Sequence, residues 1–84
     1  MDADVFKALS DPNRIKIMEM LSDGELCACK ILEEFDFTQP TLSHHMSVLS
    51  RCGLVSSRKE GQWTHYSINQ DRVREMIEFL NKML

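Results

Sequence analysis

Hydrophobic positions recur along this chain with two periods, and the switch between them marks its elements. Val5, Phe6 and Leu9 fall at helical spacing in a first segment, Asp4 to Leu9, which stops at Ser10-Asp11-Pro12. Asp11 before Pro12 reads as a helix start, an N-cap followed by proline at the first helical position. A second helix is predicted from there to about Ser22, burying Ile15, Ile17 or Met18, and Leu21, with Asp23-Gly24 ending it. A short third helix is predicted over Ala28 to Phe35, with Ile31, Leu32 and Phe35 inward. Thr38 then caps a fourth, which carries Pro40 in its first turn and runs to Arg51. Its Leu42, Met46 and Leu49 share one face at i, i+4 and i+7, and Gly53 ends it.

From here the period changes to two. Leu54 to Lys59 and Gln62 to Ile68 read as strands joined at Glu60-Gly61, a hairpin. Gln70 to Leu84 returns to a helical stripe of Val73, Met76 or Ile77, Leu80, and Met83 or Leu84. The order predicts a mainly α fold with a small β-hairpin, a winged helix-turn-helix, as one domain over residues 1–84.

That order singles out residues 38–51 as a reading helix. Such a helix offers short polar side chains from its N-terminal half while its opposite face packs inward. Thr38, Gln39, Thr41, Ser43, His44 and Ser47 form the outward set. Gln39 is suited to an adenine edge, Ser43 or His44 to bases or phosphates, and Arg51 to phosphate. In the hairpin, Arg58, Lys59 and Gln62 cluster about the turn, as in a wing lying on a DNA backbone. The same residues also fit a polar face on a small bundle with a solvated hairpin. His45 and His65 are assigned structural rather than contact roles.

The net charge of −3 over 84 residues runs against nucleic-acid binding until it is divided along the chain. Residues 1–37 carry nine acids and four bases. Residues 38–68 carry Arg51, Arg58 and Lys59 against Glu60 alone, with all three histidines, and residues 69–84 balance three against three. The charge of the docking face matters here, not the total. The 43% hydrophobic and 27% charged residues are those of a globular chain. No apolar run approaches a membrane span and the start, MDADVF, is acidic, which points to the cytoplasm. No phosphate-binding glycine loop or nucleophile–base pair suggests an enzyme, and the six methionines fall mostly at core-like helical positions.

The stretches FKALSDPNRIKIMEML, GELCACKIL, TQPTLSHHMSVL and GLVSSRKEGQWTHYSI together resemble the ArsR/SmtB family of winged-helix metalloregulators over nearly the whole chain. The resemblance implies a homodimer, paired through the first and last helices, that represses an operon by binding double-stranded operator DNA until an inducer arrives. It implies no permanently bound cofactor and no membrane partner.

Three cysteines, an odd number, argue for reduced thiols rather than a disulfide framework. GELCACKIL is similar to the cysteine motif of arsenic and antimony sensors, which makes Cys27 and Cys29 the candidate ligands of a soft ion, As(III) or Sb(III) first. Leu32 stands where such sensors often carry a third cysteine, so two thiolates completed by solvent or a small thiol are expected. Cys52 is read as a small buried apolar residue. Residues two apart on a helix point about 200° apart. Capture is therefore expected to unwind the start of the third helix, which leads into the reading helix. Two other readings remain: a thiol redox or reactive-sulfur sensor, and a winged-helix protein-interaction module without specific DNA binding.

Overall fold

A computed structural model describes residues 1–84. Five helices and three strands follow in the order α1 (Asp4–Ala8), α2 (Pro12–Leu21), β1 (Leu26–Cys27), α3 (Ala28–Leu32), α4 (Gln39–Arg51), β2 (Val55–Glu60), β3 (Trp63–Ile68) and α5 (Gln70–Asn81). This is the winged helix-turn-helix, with α3 and α4 as the helix pair and β2–β3 as the wing. No helix is long and apolar enough to cross a membrane.

Local chemistry sets most boundaries. The Asp11 carboxylate accepts the Asn13 and Arg14 amides at 2.8 and 3.3 Å, so two of the orphan donors of α2 are satisfied. Pro40 lies in the first turn of α4, where no backbone bond is lost. Gly53 ends α4 with φ of +86°. A side chain there would be strained, and the Arg72 guanidinium packs against the position while donating to the Cys52 carbonyl at 2.9 Å.

The core is one cluster to which the helices α1 to α4 and the start of β2 contribute the buried members. Ile17 and Leu21 of α2, Ile31 of α3, and Leu42, Met46 and Leu49 of α4 meet Val5, Leu54 and Val55. The reading helix is thus anchored by the face expected from its spacing. Arg14 locks it to the N-terminal helices: its Nε donates to the Ala8 carbonyl at 2.6 Å and its guanidinium to His45 Nδ1 at 3.2 Å. Because arginine only donates, that nitrogen must be the unprotonated one. Cys52 is buried, its thiol turned to the Leu49 carbonyl at 3.3 Å.

Four expectations are corrected. Ile15 is exposed, because α2 turns Ile17 and Leu21 inward and leaves one apolar side chain on its outer face. The third helix stops at Leu32; Phe35 lies beyond it, half-buried and stacked on Phe37 at 4.5 Å. The hairpin pairs Glu60 with Trp63, so its turn is Gly61-Gln62, with glycine in the left-handed region at the first central position. The last helix ends at Asn81 rather than at Leu84, and no residue in it is buried within this chain. Strand β1 was not expected. It pairs antiparallel with β3 to make a three-stranded sheet, order β1-β3-β2, in the register Leu26↔Tyr66 and Cys27↔His65.

Burial lowers the His45 pKa below its ordinary 6.5, and Asp11 only partly opposes this. The folded state then binds that proton less readily than the unfolded chain. The stability this provides is fully present above pH 6.5 and is lost as pH falls through the folded-state value. The urea midpoint at fixed protein concentration is expected to drop between pH 7.5 and 5.5, and to drop less in His45→Gln. An equal drop in both would show that His45 does not carry the dependence.

Candidate functional site

Strand β1 decides where the two thiols of the ELCACKIL stretch go. Cys27 is its last residue and also the N-cap of α3, extended at φ −66° and ψ 144°, while Cys29 is already helical. The kink between strand and helix turns the side chains toward each other. The Cys29 thiol donates to the Cys27 sulfur at 2.7 Å, and the Cys29 amide points to the same sulfur at 3.4 Å. Both cysteines are free, Cys29 exposed and Cys27 half-buried. The expectation that capture unwinds α3 assumed two helical cysteines 200° apart. With Cys27 outside the helix, the two sulfurs already face each other.

The contact also splits the two thiols electrostatically. Cys27 accepts bonds from the Cys29 thiol and amide, and its pKa is lowered; Cys29, as donor to its neighbour, is raised. Of the two, Cys27 therefore gives up its proton the more readily, and the thiolate is the form that binds soft ions. No third cysteine, histidine or carboxylate joins them as a ligand group in this arrangement.

Sheet register ties the pair to the wing. Cys27 lies opposite His65, and His65 lies opposite Arg58, so the three form one row across the sheet. Glu25 leads into β1 two residues before Cys27. It takes Arg58 in a bidentate pair, 2.6 and 2.9 Å, reaching over β3, while Glu60 holds the same guanidinium at 2.9 Å. His65 sits between these carboxylates, 3.9 Å from Glu25 and 3.8 Å from Glu60. The Arg58 bond holds the Glu25 carboxyl below its usual range, and Glu25 then Glu60 raise the Arg58 pKa.

The residues proposed to read nucleic acid are placed unequally. Gln39 and Ser43 of α4 and Gln62 of the wing turn line one groove, and Cys29 opens onto it. Thr38 occupies the N-cap position of α4, but its hydroxyl meets the Thr41 hydroxyl at 3.3 Å instead of capping the backbone. His44 is exposed, Ser47 is half-buried, and Lys59 is exposed on β2. Arg51 stands apart, in the last turn of α4, beside Asp4, Lys7 and Arg14. Arg58 is close to the groove residues in sequence but is held by two carboxylates. His45 and His65 are where structural residues were expected. The role of Glu25 was missed, as was Trp63, which is 51% exposed beside the groove. Alternation from Glu25 to Cys27 could have revealed the first, had β1 been recognised.

Comparison with known proteins follows the same outline. Residues 11–57, more than half of the chain, match the family described as bacterial regulatory protein, arsR family. An uncharacterized HTH-type transcriptional regulator of Methanocaldococcus jannaschii is 44% identical over 82 residues, 96% of this chain and 92% of that protein. An arsenical resistance operon repressor of Staphylococcus xylosus is 48% identical over 80 residues, 95% of this chain and 73% of the repressor. Among solved structures, HlyU from Vibrio cholerae superimposes with a TM-score of 0.80 at 34% identity, covering 96% of this chain and 88% of that one.

Proposed function

The chain belongs to the bacterial arsR family of regulatory proteins, and we propose that it is a homodimeric repressor released from operator DNA when Cys27 and Cys29 capture As(III) or Sb(III). The family is one of transcriptional regulators, not enzymes. The observation that carries the proposal is the 2.7 Å approach of two accessible thiols at the junction of β1 and α3. Soft thiolates select soft ions, and a trivalent metalloid needs sulfurs that converge from one side. The arsenical resistance repressor of Staphylococcus xylosus, similar over nearly the whole chain, supports the choice of ion.

The same junction supplies a mechanism. An ion seated between the sulfurs must spread them beyond 2.7 Å, which shifts β1 against α3. Strand β1 is bonded to the wing through β3, and α3 precedes the reading helix. The ion-bound arrangement then differs from the DNA-bound one at both elements that would touch DNA. Release follows from the ion's preference for the first arrangement. With Leu32 in the next turn, the third position on arsenic falls to solvent or a small thiol. A second reading, thiol oxidation, is favoured by the same short approach: peroxide would take two electrons from the pair and leave a Cys27–Cys29 disulfide and water.

Dimerisation is supported by apolar surface left over on the terminal helices. Phe6 of α1 packs on Phe79 of α5 at 5.7 Å, and Phe6, Ile77 and Leu80 remain exposed along that face. A second copy covering them would bury a stripe that a lone chain leaves in water. It would also set two reading helices on the halves of an imperfect palindrome.

Three outcomes test the proposal. Serine at both Cys27 and Cys29 is expected to preserve operator binding, followed by fluorescence anisotropy, while abolishing release by arsenite. Loss of DNA binding in that variant would make the cysteines structural, and release by peroxide but not arsenite in the wild type would select the oxidation reading. Glutamine at both Glu25 and Glu60 is expected to free Arg58 for a phosphate, raising operator affinity and steepening the salt dependence by about one unit of log K per log salt. An unchanged slope would remove Arg58 from the interface. Leu80→Glu is expected to give monomers in sedimentation and to weaken operator binding; a dimer unaffected by this charge would place the interface elsewhere.

A further inference from the structure

His45 is the one buried polar side chain of the protein, 7% exposed on the inner face of the reading helix, and it takes no part in the contacts proposed for DNA. It joins α4 to both elements before it. On one side Arg14 of α2 gives a guanidinium N–H to its Nδ1 at 3.2 Å, while the Arg14 Nε is tied to the Ala8 carbonyl of α1 at 2.6 Å. On the other side its ring lies 5.4 Å from that of Phe37, in the turn that leads into α4. Phe37 is stacked on Phe35, and Lys16 of α2 stands 4.8 Å above the Phe35 ring while donating to the Glu34 carbonyl. Leu42, Met46 and Leu49 also hold the helix, but apolar contacts are non-directional. One imidazole gives the reading helix its directed bond to α1 and α2 and its contact with the turn.

We propose that His45 is a positioning residue for operator binding, and that a proton on its ring is a second signal for release, distinct from capture at the thiols. This rests on the operator-binding reading and names a further control of it. Arginine has no acceptor, so the contact exists only while Nδ1 is unprotonated. An imidazolium would aim N–H at N–H and set two cations 3.2 Å apart where water barely reaches. Arg14 is held in place, by the Ala8 carbonyl at its Nε and by the Asp11 carboxylate 3.9 Å from its guanidinium. The ring, and α4 with it, is then the part that moves. Few other charges bear on His45. Asp11 at the start of α2 favours a proton there, while Arg14 and the neighbouring His44 oppose one. The turn faces it with the uncharged Phe37, and α1 reaches it only through the Ala8 carbonyl on Arg14, beyond which lie Asp4, Lys7 and Arg51. Burial outweighs Asp11 and keeps the His45 pKa below 6.5. Operator binding, which needs the neutral ring, is at full strength at neutral pH and falls as pH drops through that folded-state value.

Anisotropy of the reduced protein on DNA from its own promoter, at constant ionic strength from about pH 7.5 to about 5, reads the affinity, and circular dichroism checks the fold at each pH. A protonated His44 beside a phosphate would strengthen binding, the opposite sense, so His44→Gln is the background for both arms. Affinity is expected to be flat near neutrality and then to fall by up to about tenfold per pH unit for each chain, as each takes up one proton on release. Adding His45→Gln should abolish the fall, since glutamine can accept from Arg14 and cannot take up a proton. In the wild-type chain, NMR titration of the imidazole carbons should give His45 a lower pKa in the operator complex than in the free protein, because linkage is reciprocal. That comparison decides between the outcomes even where the variant does not fold. An equal fall with and without His45, or a His45 pKa unmoved by DNA, would overturn the inference and leave the repressor reading standing. Absence of a sequence-dependent complex at neutral pH would overturn the repressor reading and this inference with it.

Discussion

Two residues of antiparallel pairing, Leu26 to Tyr66 and Cys27 to His65, hold the arrangement on which the rest of the site depends. Without them the chain from Glu25 could continue the helical path of α3 backwards, and the two cysteines would point to opposite sides of it. With them Cys27 is extended, its sulfur faces that of Cys29, and the outer edge of β3 is covered. The same pairing puts Cys27, His65 and Arg58 in one row, so a thiol and a wing guanidinium lie two strands apart rather than across the molecule. The proposed sensing and reading residues share a sheet.

This constraint also explains which parts of the architecture were legible in the amino-acid sequence. Asp11-Pro12, Gly53 and the Leu42, Met46, Leu49 spacing are local signals, and each produced the element it predicted. A two-residue strand has no period to detect. It exists because β3 offers an unpaired edge beside it, which is tertiary context. Ile15 and the last helix fail for a related reason: periodicity identifies an apolar face but not what covers it. On α5 the stripe is present, yet Ile77 and Leu80 are exposed in the isolated chain. Of the candidate site, the cysteines and the groove residues Gln39, Ser43 and Gln62 were legible as residue types in order. Their shared hollow was not, nor was the clamp on Arg58, whose partner Glu25 lies 33 residues earlier.

The acidity of the chain gains a local meaning from that clamp. Exposed ion pairs contribute little to folding, since water screens them and long side chains lose freedom in making them. The Glu25–Arg58–Glu60 cluster is therefore better understood through what it withholds than through what it stabilises. It occupies one of the three bases that give residues 38–68 their positive surplus. A DNA phosphate would have to displace a carboxylate to use Arg58, so the free protein holds its electrostatic attraction in reserve. Binding would then lean on side-chain hydrogen bonds and on two half-sites engaged at once, which suits a protein of net charge −3.

Closeness of the proposed sensor to the proposed reader changes what coupling would require. When two sites are far apart, a ligand must bias an element with two discrete arrangements that spans the gap. Here the thiols adjoin both elements, and a strand of two residues has few bonds to lose when it shifts. Linkage is reciprocal: if arsenic weakens DNA binding by some factor, DNA weakens arsenic binding by the same factor. A weakly held β1 makes that factor adjustable by small changes, since each bond between β1 and β3 adds to the cost of moving it. In the proposed sensor Cys27 would contribute twice, as a ligand and as part of the pairing the ligand must disturb, and the balance between these two roles would set the strength of the switch.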